Sequence, residues 1–529
     1  PGENESFFIL DAESMAKNFL PTDLDLIKLY IAKFPLEGRT KPQARDEFIR
    51  RFNEGALILT YLGHGNPDVL AHEQMFVLSR DAGLIDNGKR LPFMYTAASQ
   101  VGVFDEPNQQ SMPEALMNRP DGGVIGFISA TRVGFHVSNM YLAREFHRLM
   151  YRTETAHVPV GQGLAIAKQN VSAGNLDRVN IQRYSLIGDP AMRIARPRFT
   201  VELKVPESIQ ALQEVSVQGR VFDFQGRPVD DFNGSAVVQA FDSTTRSLLE
   251  TIIYTRTGAP IFRGFVSVED GRFAVTFRVP KDISYGEENG RISAYVWSDD
   301  SPSGFGAVSG LELAGTASDI PVDETGPEIV IGFQGQKNFN SGDLVPAEPV
   351  LIAAISDPSG INITGETGHE IGLFIDDRFF AVTEFFNNTG DYKTGILEFP
   401  LPAVEPGNHT LRLKAWDTFN NSSRVETIIQ VTEADNSVLS NLLFHPNPMT
   451  DQGDFTYTLS ESVKSVRIRV FSVAGRLVEE IEGAGNQGFN QVSWTPIGKL
   501  ANGTYLYSVD LLLENGAKVK NQSTIQVMK

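Results

Sequence analysis

Two short stretches hold the residue types that acyl-transfer chemistry needs. In Tyr61-Leu62-Gly63-His64-Gly65-Asn66 an imidazole stands between two glycines. In Tyr95-Thr96-Ala97-Ala98-Ser99 a hydroxyl follows a run of small and apolar residues. A serine hydroxyl is a weak nucleophile at its own pKa and requires an aligned base. Imidazole, which titrates near neutrality, is the usual one. The amides of Gly65 and Ser99 are candidate donors to the oxyanion that forms when a carbonyl is attacked. Each residue also has an ordinary reading: His64 as part of a glycine-rich turn, Ser99 as a small polar residue closing a strand. No Gly-x-Ser-x-Gly elbow surrounds Ser99, which argues against a serine enzyme of the α/β-hydrolase type.

The positioning elements follow from the apolar runs. Ala56 to Leu62 and Leu91 to Ala97 have the length and composition of buried strands. Open α/β sheets carry their chemistry at the carboxyl ends of strands, so both candidate residues belong on one edge. A third strand is expected over 122–130 (GGVIGFISA). Helical spacing predicts helices over Pro21 to Phe34, with Thr22 or Asp23 as cap, over Lys41 to Phe52, over Val137 to Tyr151 and over Gly161 to Asn170. Residues 1–197 thus read as a mainly parallel sheet flanked by helices. After Arg198 short alternating segments such as Val215 to Phe222 and Arg272 to Val279 replace the helical pattern. Turn-rich breaks near 315–327 and 433–447 divide this region into 198–318, 319–432 and 433–529. Each piece has the size of an immunoglobulin-like sandwich. The expected fold class is α/β then all-β: an α/β/α subdomain followed by three immunoglobulin-like β-sandwich modules.

Composition removes several function classes. A formal net charge of -19 is wrong for a surface that tracks phosphates, so no nucleic-acid partner is expected. The absence of cysteine excludes disulfides, thiolate metal sites and a thiol nucleophile in this chain. No apolar run is long enough to span a bilayer as a helix. The start at Pro1, without Met or a signal peptide, is expected of a processed or excised piece of something longer. His72-Glu73 begins like a zinc-binding His-Glu-x-x-His helix, but position 76 is Phe and the metal reading fails. Asp299-Asp300, Asp376-Asp377 and Asn420-Asn421 offer the oxygen ligands that calcium takes, although turns use the same residues. Calcium is therefore the one cofactor left open.

Four segments, in order and spacing, resemble the gingipain-type family of caspase-like cysteine peptidases. They are residues 55–66 (GALILTYLGHGN), 92–107 (PFMYTAASQVGVFDEP), 122–132 (GGVIGFISATR) and 184–193 (YSLIGDPAMR). The resemblance covers the first 195 residues or so, corresponding to the catalytic half of the family's peptidase unit; the preceding half-domain is not in the sequence. It implies a caspase-like catalytic subdomain with His64 as base, position 99 as nucleophile and the amides of Gly65 and Ser99 as oxyanion hole. The last module, with HPNPM, FSVAGRLV, QVSWTP and NGTYLYSVDLL, is similar to the C-terminal sorting domains of type IX secretion substrates. The whole order is similar to the cell-surface signal peptidase and sortase of that system. What this implies is an extracellular, outer-membrane-associated protein held by a PorV-like β-barrel partner among other attachment-complex subunits. Its substrates would be the sorting domains of secreted proteins, whose new carboxyl ends it would join to anionic lipopolysaccharide. The family has Cys where this chain has Ser99, and a serine silences a site built for thiolate and imidazolium. Either an engineered replacement or natural divergence accounts for it. Gln100-Val101, in place of an acidic-aromatic pair, favours divergence. The alternative function is an inactive scaffold that docks on an outer-membrane barrel. A generic adhesin would account for 198–529 but not for Gly63-His64-Gly65.

Overall fold

The computed structural model describes residues 6–528 apart from 22–23, 152–157, 174–177, 250, 285–289, 335, 337–338, 346–348, 367, 432–437, 460–461, 499 and 514–517. The chain divides into two compact units. One comprises Pro1–Arg198 with Thr244–Thr257, the other Phe199–Ser243 with Gly258–Lys529.

The first unit is built on a four-stranded sheet, β1 (Ile58–Leu62), β2 (Phe93–Ala97), β3 (Gly126–Ala130) and β4 (Tyr184–Ile187), in that spatial order. β1, β2 and β3 run parallel, and β4 is antiparallel to β3. β2 and β3 are buried at every position, as parallel strands covered on both faces must be. β1, at the sheet edge, is only partly buried. Helices α1 (Ser6–Asn18), α2 (Pro42–Glu54), α3 (Met112–Met117), α4 (His136–Tyr151) and α5 (Val160–Ala173) surround the sheet. Side chains alternate across a strand. Phe93, Tyr95 and Ala97 of β2 therefore enter one core with Leu142, Phe146 and Tyr184. Met94 enters the other with Phe48, Phe52 and Phe127.

The helix expected over Pro21 to Phe34 does not form over the described residues, where only Ile31–Lys33 makes a 3-10 turn. The reason lies in the spacing. Leu24, Leu26, Lys28 and Tyr30 turn inward, while Asp25 and Ile27 between them are exposed, which is the two-residue period of extended chain. The proposed caps Thr22 and Asp23 lie outside the described residues. Glu13 of α1, a helix the sequence pattern did not announce, fixes this segment. Its carboxylate accepts from the Lys28 ammonium at 2.8 Å, from the Tyr30 hydroxyl, and from the Thr255 amide and hydroxyl, both at 3.1 Å. Lys28 also donates to the Thr255 carbonyl at 2.8 Å. Thr255 belongs to the hairpin Thr245–Leu249 and Ile252–Arg256, which lies far along the chain yet is part of this first unit. Burial alone would raise the Glu13 pKa; Lys28, Tyr30 and Thr255 outweigh it and hold the carboxyl below its ordinary value.

The second unit is all β. Three apolar cores lie within residues 201–311 (joined by Tyr392), 329–431 and 439–527. The first two share one sheet, because the strands Pro260–Val268 and Phe386–Thr389 pair in parallel, Gly264 beside Asn388 and Phe265 beside Thr389. The expected break near 315–327 is thus a break in the core but not in the hydrogen-bonded sheet.

Glu13→Ala leaves the Thr255 amide without its acceptor and the half-buried Lys28 ammonium without its counter-charge. The expected cost is about 1–3 kcal/mol of stability, with hydrogen exchange of residues 245–256 accelerating while β2 and β3 stay protected. Equal acceleration throughout the unit would contradict this local role for Glu13.

Candidate active site

The parallel register sets Leu62 beside Ala97, so the chain leaves β1 and β2 side by side on the same edge. His64 follows β1 and its side chain is exposed. Its carbonyl is pinned twice, accepting the Tyr61 hydroxyl at 2.7 Å and the Ala71 amide at 3.0 Å. The flanking glycines supply space. A Cβ on Gly63 would lie 2.4 Å from the Tyr61 hydroxyl oxygen, and one on Gly65 would lie 2.7 Å from Val101 Cγ2 and 3.3 Å from Ala98 Cβ. Gly65 therefore lets the His64 loop lie directly on the residues that flank Ser99. Asn66 Oδ1 accepts the Asp68 and Val69 amides at 2.9 and 2.7 Å, turning the chain into a short hairpin, Val69–Leu70 with Phe76–Val77. That hairpin returns His72, whose ring stacks on His64 with centroids 4.7 Å apart and planes 7° from parallel. Phe8 of α1 meets His64 edge-on at 5.4 Å. The sequence reading discarded His72 with the zinc motif; its stacking role depends on the Asn66 turn.

Ser99 is half-buried at the end of β2. Its hydroxyl donates to the Gly134 carbonyl at 3.1 Å and accepts the Gly134 amide at 3.0 Å. Among the described residues it makes no bond to His64. Gln100 takes a positive φ of 57°, and its amide donates to the Arg132 carbonyl at 3.2 Å. Residues 99 and 100 are thus stitched to the loop that follows β3. The amides of Gly65 and Ser99 donate to no protein acceptor among the described residues, and such free donors at a strand end are what an oxyanion hole requires.

Two further histidines lie near by. His136 opens α4 and pairs with Asp11 of α1 at 2.6 Å; Arg144 pairs with the same carboxylate. Phe7 and Phe8 pack on the His136 ring at 4.4 and 4.8 Å. No local spacing signals a contact between helices so far apart in the chain. His147 is fully buried. A carbonyl can only accept, so its Nδ1–H donates to Ala143 at 2.7 Å and its Nε2 accepts the Thr60 hydroxyl at 2.9 Å. Burial pushes its pKa down to about 4, so it is neutral at pH 7.

In the second unit two of the residues named as possible calcium ligands, Asp376 and Asn420, have protein partners of their own. Asp376 accepts from His409 at 2.8 Å and from the Thr410 amide at 2.9 Å. Asn420 accepts from Asn362 at 3.0 Å. A different trio converges: Asp323, Asp357 and Asp417 each bring one carboxylate oxygen within 4.8 Å of the others. All-oxygen donors are the kind a hard cation takes. Their crowding also has a cost. Burial first, then the Asp417 and Asp323 charges, raises the Asp357 pKa to about 6, against the opposing Ser359 and Gly360 amides.

Residues 3–195 match the family described as peptidase family C25. This part of the chain is thus similar to peptidase family C25, the gingipain family. Residues 443–525 match the secretion system C-terminal sorting domain. The C25-like region thus stands in one chain with a sorting-domain match, the mark of a secreted, cell-surface-associated protein. The chain is also similar to dimeric latent PorU from Porphyromonas gingivalis, with 25% identity over 76% of this chain and 41% of that one and a TM-score of 0.31. CopC from Methylosinus trichosporium is similar over 17% of this chain and 93% of its own, with 18% identity and a TM-score of 0.14. The chain spans less than half the length of the PorU chain. No curated protein matches.

Gly65→Ala forces a methyl group into Val101 and Ala98 at the meeting of the two loops. The expected loss is about 1–3 kcal/mol in urea unfolding, with the His64 and Ser99 backbone amide resonances shifting together; an unperturbed Ser99 resonance would break the link between the loops. Asp357 gives a pH signature. Its folded pKa lies above its unfolded value near 4, so its contribution is fully present below pH 4 and is lost as pH rises through 6. With chelator present, Asp357→Asn should raise stability by about 1–3 kcal/mol at pH 8 and by little at pH 4. A gain independent of pH would refute the assignment.

Proposed function

We propose that this protein is a cell-surface signal peptidase and sortase of the type IX secretion system in design, silent in its serine form. The observation that carries the reading is the meeting of the His64 loop with the Ser99 loop at Gly65, with two free amides beside them. With a thiolate at position 99, the sulfur would add to the scissile carbonyl while the oxygen takes up charge toward the amides of Gly65 and residue 99. The His64 imidazolium would protonate the leaving amine as the C–N bond breaks, leaving a thioester. A sugar-linked amine would then attack the thioester, giving its proton to His64 and expelling the thiolate. The substrates in this reading are the sorting domains of secreted proteins, the acceptor is anionic lipopolysaccharide, and a PorV-like outer-membrane barrel holds the enzyme in place.

A second reading, a catalytically inactive scaffold of the attachment complex, is favoured by the Ser99 hydroxyl itself. Both of its hydrogen-bonding capacities go to Gly134. A hydroxyl used as a strut is not aligned on a base.

Ser99→Cys, compared with the serine form and with Ser99→Cys plus His64→Ala, separates the two. Against a fusion carrying a type IX sorting domain, the cysteine form should cleave, the serine form should not, and loss of His64 should cost on the order of 10²–10⁴ in rate. A correctly folded cysteine variant without activity would leave the scaffold as the function.

A further inference from the structure

The first sandwich of the second unit has an outer face as well as a core. Along the strand Gly234–Phe241, Ala236, Val238 and Ala240 enter the core, so Ser235, Val237 and Gln239 point outward. The registers carry this outward set across the sheet. Val237 lies beside Phe265 of the strand Pro260–Val268 and beside Tyr295 of the strand Gly290–Trp297. Tyr295 in turn lies beside Phe305 of the strand Gly304–Thr316. A line of four apolar side chains, three of them aromatic, therefore crosses four strands on the outer face. Trp297 stands on the same face, two residues beyond Tyr295. Its ring centre is 6.0 Å from that of Tyr295 and 6.2 Å from that of Phe265. Among the described residues these side chains enter none of the apolar cores. Phe265 is 43% exposed and Tyr295 37%. Clustered aromatic rings left open to water mark a binding surface.

The surroundings define the occupant. Neighbouring strands lie about 4.8 Å apart, so ring-bearing positions recur at roughly the length of one pyranose ring. Polar positions flank the line: Ser235 and Ser267 are paired on one side, Gln239 and Arg263 on the other. A sugar ring offers an apolar C–H face, which suits the electron-rich face of an aromatic ring. Its hydroxyls project sideways, where serine and glutamine groups both donate and accept. A lipid or an apolar protein surface has no use for such polar borders. Charge narrows the choice further. The strands 234–241, 260–268 and 290–297 contain Arg263 and Arg291 and no carboxylate, in a chain with 65 acidic residues against 46 basic. Arg263 Nη2 donates to the carbonyls of Phe386 at 2.9 Å and Thr383 at 3.3 Å, which fix the guanidinium at the border without neutralising it. Glu384 acts on it from outside these strands. At the opposite border the chain turns acidic, with Glu269 two residues beyond Ser267 and Asp299 two beyond Trp297. A ligand bearing negative groups therefore has one preferred side of the aromatic line, that of Arg263.

We propose that this face binds an acidic polysaccharide, with its sugar rings stacked on Phe265, Tyr295 and Trp297 and its acid groups toward Arg263. The proposal goes beyond the catalytic reading and does not rest on it.

Calorimetric titration of the 529-residue chain tests it. The probes are hexamers of galacturonate and of mannuronate, with cellohexaose as a neutral glycan and polyglutamate as a polyanion without sugar rings. At least one acidic hexamer should bind, and more tightly than cellohexaose or polyglutamate. Tyr295→Ala and Trp297→Ala should each weaken that binding roughly 10-fold, the scale of one lost aromatic stack. Tyr295→Phe keeps the ring and should retain the affinity, which separates loss of stacking from loss of fold. Val330→Ala removes an exposed apolar side chain outside the line and should change nothing. Failure of both acidic hexamers to bind the folded chain would overturn the proposal. Equal affinity for polyglutamate would reduce the site to charge alone, and equal affinity for cellohexaose would remove the role of Arg263; either overturns the assignment. So would binding that survives both alanine substitutions, because the site would then lie elsewhere.

Discussion

The candidate site depends on one constraint, the parallel register of β1 on β2. With Leu62 beside Ala97, the His64 and Ser99 loops leave the sheet from neighbouring positions. A slip of one residue would turn every β1 side chain to the other face. Tyr61 would then lose the His64 carbonyl, and Leu59 would leave its core. The register brings the loops near each other, and Gly65 lets them touch, since any side chain there would meet Val101 and Ala98. The requirement at Gly65 is one of volume and not of φ.

The parts of this arrangement that were legible in sequence are those governed by neighbouring residues. β2 and β3 are short apolar runs buried at every position, and such runs announce themselves. His64 and Ser99 stood out because they follow those runs. What escaped was set by distant residues. Leu24 to Tyr30 carries enough apolar residues for a helix, yet Glu13 draws Lys28 and Tyr30 inward on a two-residue period. The hairpin at 245–256 reads as one more pair of strands in an all-β region; its membership in the first unit rests on Thr255 meeting that same Glu13. Asp323, Asp357 and Asp417 come from three separate loops, so no spacing joins them, whereas the adjacent pair Asp376-Asp377 stands out in sequence and its Asp376 accepts from His409.

On the proposed reading, serine at position 99 is not simply a weaker nucleophile in an unchanged site. Its hydroxyl donates to and accepts from the same residue, Gly134, and so ties the end of β2 to the loop after β3. Turning it toward His64 would break two hydrogen bonds, each worth about 0.5–1.5 kcal/mol net. A thiol is a poorer donor and acceptor and would hold Gly134 less firmly. The exchange of sulfur for oxygen therefore alters two quantities in opposite directions: it lowers nucleophilicity and raises the rigidity of the loop.

The two halves of the site rest on unequal supports. Ser99 hangs from β2, which has a strand on either side; His64 hangs from β1, which among the described residues has one. A strand with a single ladder opens locally at lower free energy than a central one, so the position of His64 is the softer coordinate. α1 supplies what β1 lacks. Phe8 holds the His64 ring, Asp11 holds His136 and Arg144, Glu13 holds Lys28 and the 245–256 hairpin, and Met15 enters the core. These contacts occupy consecutive turns of one helix, so displacing α1 would release His64 and the hairpin together. The placement of His64 is thus governed less by the loop that carries it than by a helix which the local pattern of apolar residues does not reveal.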